Sequence, residues 1–140
     1  MRVILDTNLL ASALITPHGA PDALYRAWRD RRYMLVTSEL QLEEFRRITR
    51  YPAVRRYIDP AAAGTMHNAL QNLAAVLQSL PNVDVSPDPQ DNYLLAMARA
   101  GEVDVLATGD KRDLLKLNAF ERTRILTARD LLTVLGIAAI

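Results

Sequence analysis

The chain of 140 residues has no cysteine, only two histidines and five glycines, and a formal net charge of +1. Without cysteine there are no disulfides, thiolate metal sites or cysteine nucleophiles. His18 and His67 lie far apart, which argues against zinc. Neither G-x-x-x-x-G-K-[ST] nor G-x-G-x-x-G occurs, so a phosphate-cradling nucleotide module is not expected. No apolar run approaches the roughly 20 residues that a bilayer-spanning helix needs. The first expected strand begins almost at Met1 with no signal-peptide pattern before it, and a cytoplasmic location is expected. The small net charge supplies no global field that would announce a nucleic acid.

What is present is a packed chain, 50% hydrophobic and 24% charged, of a length that suits a single domain over residues 1–140. Val3-Ile4-Leu5 reads as a short buried strand, with Asp6-Thr7-Asn8 turning the chain into a helix to Leu14. A helix from Pro21 to Arg29, a strand at Tyr33–Val36 and a helix from Glu39 to Arg50 follow. After the break at Pro52, Asp59-Pro60 opens a long helix with the stripe Met66, Leu70, Leu73 and Leu77, expected to reach Leu80. His67, beside that stripe, reads as a boundary histidine rather than a ligand. A brief strand is expected at Val83–Val85, a helix from Asp91 to Ala100 stopped by Gly101, a strand at Val103–Ala107 and a helix carrying Leu114, Leu115 and Leu117. A strand at Arg124–Leu126 and a helix from Ala128 to about Leu135 complete the chain. Strands alternating with helices predict a three-layer α/β/α sandwich around a four- or five-stranded, mostly parallel sheet.

The acids carry the functional argument. Asp6 follows the first strand directly and Asp110 follows Thr108-Gly109 after a later one. Asp91 opens a helix. On a helical wheel of about 100° per residue, Glu44 falls inside the arc of Leu40, Phe45 and Ile48, whereas Glu43 falls outside it and stands four residues before Arg47. Each acid has a plain structural role open to it, since Asp6 and Asp88 suit helix capping and acids at a helix start suit its dipole. An inward carboxylate must nevertheless be neutralised, paired or bound to a metal. All four acids converge on the C-terminal edge of such a sheet, where ligands bind, and would raise one another's pKa values unless a cation lies between them. Oxygen-only ligands select Mg²⁺ or Mn²⁺, and one or two such ions can activate water against a phosphodiester. In that scheme Asn8 and Thr108 orient the ligands.

Asp6-Thr7-Asn8, Glu44, Asp-Pro-Gln-Asp-Asn at 88–92 and Thr108-Gly109-Asp110-Lys111 together resemble the acidic signature of PIN-domain ribonucleases, and most of all the PIN toxins of prokaryotic toxin–antitoxin pairs. The resemblance runs from Met1 to about Leu132. It implies metal-binding acids at Asp6, Glu44, Asp91 and Asp110, with Glu43 an alternative for the second and Asp113 an auxiliary to the fourth. It further implies Mg²⁺- or Mn²⁺-dependent cleavage of single-stranded RNA, homodimerisation and neutralisation by a small antitoxin protein, with no membrane partner.

A phosphatase of the haloacid dehalogenase type also begins with an aspartate after its first strand, but needs a second acid two residues on, where this chain has Asn8. A PIN-like scaffold that binds nucleic acid or protein without catalysis is the remaining alternative. Nine of the 17 basic residues, Arg26, Arg29, Arg31, Arg32, Arg46, Arg47, Arg50, Arg55 and Arg56, fall in one segment, which is expected to include the phosphate-contacting surface. The apolar excess on the helices is expected to include a dimer or antitoxin surface.

Overall fold

Alternate side chains of each strand face opposite layers, and in the computed structural model, which describes residues 1–109 and 112–137, this alternation divides the core in two. Strand β1 (Arg2–Leu5) leads to α1 (Thr7–Ile15) and α2 (Ala20–Arg29), and β2 (Met34–Ser38) to α3 (Glu39–Thr49), α4 (Pro52–Arg55) and α5 (Pro60–Leu73). Then come β3 (Ala75–Leu77), α6 (Pro89–Ala100), β4 (Val105–Thr108), α7 (Arg112–Leu117), β5 (Ala119–Phe120), β6 (Thr123–Thr127) and α8 (Ala128–Leu135). Val3, Leu5, Leu35, Val105 and Ala107 pack with side chains of α1, α2, α3, α5 and α8. Ile4, Val36, Leu106 and Ile125 pack on the other face against α6, Leu114 of α7 and Phe120 of β5. The result is the α/β fold with helices on both faces of the sheet.

Among the described residues the sheet has six strands, in the order β3-β2-β1-β4-β6-β5, not four or five. All neighbours pair in parallel except β5 with β6. Three differences account for the count, two strands gained and one expected strand lost. The helix expected to reach Leu80 stops at Leu73, which is 61% exposed, and Ala75–Leu77 pairs instead with Val36–Ser38 as an edge strand. The segment Ala74-Ala75-Val76 carries no helix-stop residue, so the tertiary pairing overrides a helical pattern. The second difference is at Val83–Val85, which is not a strand. The backbone N–H groups of Val85 and Ser86 donate to Asn92 Oδ1 at 3.0 and 2.8 Å, and Asn92 Nδ2 donates to the Ser86 carbonyl at 2.8 Å. One side chain thereby supplies what a neighbouring strand would have supplied. The short strand β5, two residues long, gave no sequence signal.

The buried face of α3 is Gln41, Leu42, Phe45 and Thr49, rotated from the expected arc of Leu40, Phe45 and Ile48. Leu40 is 49% exposed, and Glu44 falls about 60° beyond Gln41, at the rim of the true buried face. Gly101 closes α6 without a left-handed conformation; a Cβ there would stand 3.0 Å from Val36 Cγ1, so the residue is small because the strand is close.

Gly64 lies inside α5, exposed, and a Cβ added there meets nothing within 4 Å. Gly64→Ala is therefore expected to stabilise the protein by about 0.5–1 kcal/mol, read as a rise in Tm. A fall in Tm would show that α5 is not a regular helix at this point.

Candidate functional site

From β1 the sheet grows outward through β2 to β3; the chain then returns through α6 and adds β4 on the other side of β1. In an open parallel sheet, the crevice outside the strand ends at such a reversal is where ligands bind. Here the two strands are joined at that point. The Asp6 N–H donates to the Ala107 carbonyl at 2.9 Å, and Thr108 Oγ1 donates to Asp6 Oδ2 at 2.8 Å. Asp6 is 2% exposed. Its Oδ1 accepts the Asn8 N–H at 3.4 Å, a long cap on α1. Capping and the contact across the reversal thus use different oxygens of one carboxylate. The Asn8 residue itself is exposed.

Asp91 comes to the same edge on the first turn of α6, since that helix follows β3 and precedes the parallel strand β4. Asp88 caps the helix, accepting the Gln90 N–H at 2.9 Å. Asp91 is 1% exposed, and Ser86 Oγ donates to its Oδ2 at 2.9 Å. The bonds of Asn92 hold Ser86 in that position.

Glu44 joins this edge through Tyr93, whose hydroxyl donates to Glu44 Oε1 at 2.7 Å. Tyr93 also stands 2.9 Å from Thr7 Oγ1. Because the phenol has given its one proton to Glu44, Thr7 donates to it. Thr7 in turn accepts from Gln41 Nε2 at 3.4 Å, and Gln41 donates to the Leu5 carbonyl at 2.8 Å and accepts from Thr37 Oγ1 at 2.7 Å. A directed polar chain therefore runs from Thr37 through Gln41, Thr7 and Tyr93 to Glu44 across the ends of β1 and β2. Burial raises the Tyr93 pKa, opposed by the bond from Thr7 and reinforced by the negative charges of Glu44 and Asp6, so the phenol remains a proton donor. Arg47 approaches Glu44 Oε2 only to 4.0 Å, a weak pair on an exposed flank.

Glu43 is exposed, away from this chain of bonds. Asp113, on the first turn of α7, is exposed as well. Asp110 lies outside the described residues. Tyr93, Gln41, Ser86 and Asn92 were not singled out from the sequence for these positions. The available signals were a glutamine between Leu40 and Leu42 and the polar residues bracketing Asp-Pro-Gln-Asp.

Asp6, Asp91 and Glu44 offer only oxygen donors, and the first two are carboxylates almost wholly withdrawn from water, which is the chemistry a hard divalent cation matches. Among the described residues no three histidine, aspartate or glutamate side chains are grouped closely enough to hold a metal by themselves.

A family profile described as PIN domain matches residues 2–112. The uncharacterized protein MJ1680 of Methanocaldococcus jannaschii is 27% identical over 118 residues, which cover 84% of this chain and 75% of that protein. No solved structure matches the chain significantly. The profile spans β1 to the start of α7, including Asp6, Glu44 and Asp91, and on that match the chain belongs to the PIN-domain family, whose fold is of nuclease type and whose members generally use divalent metals.

Proposed function

We propose that the protein is a Mg²⁺- or Mn²⁺-dependent endoribonuclease that cuts phosphodiester bonds in single-stranded RNA, and that it is the toxin of a toxin–antitoxin pair. The observation that carries this reading is the buried Asp6 carboxylate at the sheet's reversal point, bonded to Thr108 of the neighbouring strand. Asp6, Asp91, Asp110 and Glu44 would hold the ion. When bound, a divalent ion supplies an activated water and neutralises charge developing on the phosphodiester. The protein's own part is orientation: Thr108 fixes one Asp6 oxygen, Ser86 fixes one Asp91 oxygen, and Tyr93 fixes Glu44.

A homodimer or antitoxin surface finds support at the other end of the sheet. Met1, Met34 and Leu73 are 50%, 51% and 61% exposed and line one recess with Trp28 and Tyr33. That end lies away from the candidate site, so a partner there would leave the RNA-cutting edge open.

The wild-type protein is expected to degrade single-stranded RNA only with Mg²⁺ or Mn²⁺, and Asp6→Asn to lose this while keeping its circular dichroism and Tm nearly unchanged. Cleavage that survives a chelator contradicts the carboxylate scheme, and failure to cut RNA or DNA with any metal favours the non-catalytic scaffold. Tyr93→Phe removes two bonds of a buried chain, the one to Glu44 and the one from Thr7, each worth roughly 0.5–1.5 kcal/mol; initial rates should fall by about tenfold or less and require more metal for half-maximal activity. An unchanged metal requirement would separate Glu44 from the metal. Sedimentation of the isolated protein is expected to give a dimer, which Met34→Lys dissociates; a monomer at all concentrations contradicts that surface.

A further inference from the structure

The arginine-rich segment does not form one surface. Arg26 is bonded to Asp22 at 2.9 Å, Arg29 lies over the Trp28 ring at 5.8 Å, and Arg32 donates to the Leu135 carbonyl at 2.8 Å. These belong to α2 and the turn after it. The second half differs. Residues 45–58 contain Arg46, Arg47, Arg50, Arg55 and Arg56, two tyrosines and no acid. Among the described residues no carboxylate makes an ion pair with Arg46, Arg50 or Arg55. Those three arginines, with His67, Asn68 and Gly64, line a recess of about 380 Å³ between α3, α4 and α5 that has no acidic lining residue. Its floor is Phe45, 1% exposed, against which the His67 ring is stacked at 6.5 Å. Three guanidinium groups held around an apolar floor without a counter-charge repel one another unless an anion enters. The His67 pKa, lowered first by burial and then by Arg46 and Arg50, reports that same positive field.

Tyr51 and Tyr57 bracket α4 and are 50% and 61% exposed, and Arg56 lies over the Tyr57 ring at 5.9 Å. Exposed aromatic faces beside uncommitted arginines are the two components of a single-strand binding surface: bases stack on the rings while the backbone follows the positive charge. Arg50 caps α3 six residues after Glu44, about 9 Å further along its axis. A strand leaving the candidate site therefore has to wind about a third of a turn around this helix to reach the recess.

We infer that the face formed by α3, α4 and α5 is the docking platform for single-stranded RNA, with a backbone phosphate in the recess of Arg46, Arg50 and Arg55 and flanking bases on Tyr51 and Tyr57. The inference rests on the RNA nuclease reading and gives that substrate a path across the protein.

Binding is measured by fluorescence anisotropy of a labelled single-stranded RNA in EDTA, so that no arm depends on cleavage. The double variant Arg50→Gln/Arg55→Gln is expected to bind several-fold more weakly and to lower the slope of log K against log salt by about 0.7, the value for one lost phosphate contact on a single strand. Tyr51→Ala/Tyr57→Ala is expected to lose roughly fivefold or more in affinity with the salt slope unchanged. Gly64→Glu places a carboxylate at the recess without steric conflict; it is expected to weaken binding while melting no lower than wild type, which separates loss of the site from loss of the fold. Wild-type affinity and salt slope in the arginine pair overturn the platform, as does absence of RNA binding by the wild type at low salt. Capture of a polyglutamate peptide in place of RNA, lost in the same variants, overturns it in favour of an acidic protein segment. A protein that binds RNA in this way but cuts none contradicts the nuclease reading and leaves the platform standing.

Discussion

A hydroxyl at the end of one strand holds a carboxylate at the end of the next, and the site depends on that bond. Thr108 and Asp6 belong to strands that pair because the chain reverses its direction of growth between them. The parallel register Leu5 to Ala107 sets the two strand ends level, so the carboxylate is carried into the interior with its partner already in place. Withdrawing a charge this far from water costs several kcal/mol unless it is compensated. Among the described residues, part of the compensation comes from oriented dipoles: the Thr108 hydroxyl and the Asn8 N–H that opens α1.

The polar chain from Thr37 to Glu44 extends the same principle over the neighbouring elements. Gln41 uses a backbone carbonyl of β1 and a hydroxyl of β2, and Tyr93 connects α6 to the start of α1 and the middle of α3. Each donor has an acceptor, so the chain has a direction that ends on a carboxylate. This arrangement rigidifies one edge of the sheet while the opposite edge exposes methionines and a leucine.

Much of this was legible in the sequence, and the failures have particular causes. Strand-ending acids such as Asp6 can be read from an apolar run followed by a turn, and β1, β2, β4 and β6 were recovered that way. Glu44 was assigned to an inward arc, but the helix is rotated because Gln41, a polar residue, is buried and fully bonded, which hydrophobicity alone does not reveal. The edge strand at Ala75–Leu77 has the spacing of a helix that continues α5, and only the neighbouring strand β2 decides between them. Tyr93 and Ser86 act through tertiary hydrogen bonds to residues far away in sequence, and no local pattern encodes those partners. The separation of the arginines into two groups likewise required knowing that α2 and α3 end on different neighbours.

The central claim is that Asp6 and Asp91 share one cation-binding edge with Glu44. Titration of Mn²⁺ into isotopically labelled protein tests it most directly, because a paramagnetic ion broadens the resonances nearest to it. The account predicts that the amides of Asp6, Thr108, Asp91 and Tyr93 broaden first, at low occupancy, while those of Arg2 and Met34 at the opposite end of the sheet remain sharp. Broadening that begins elsewhere, or that affects both ends equally, would contradict it.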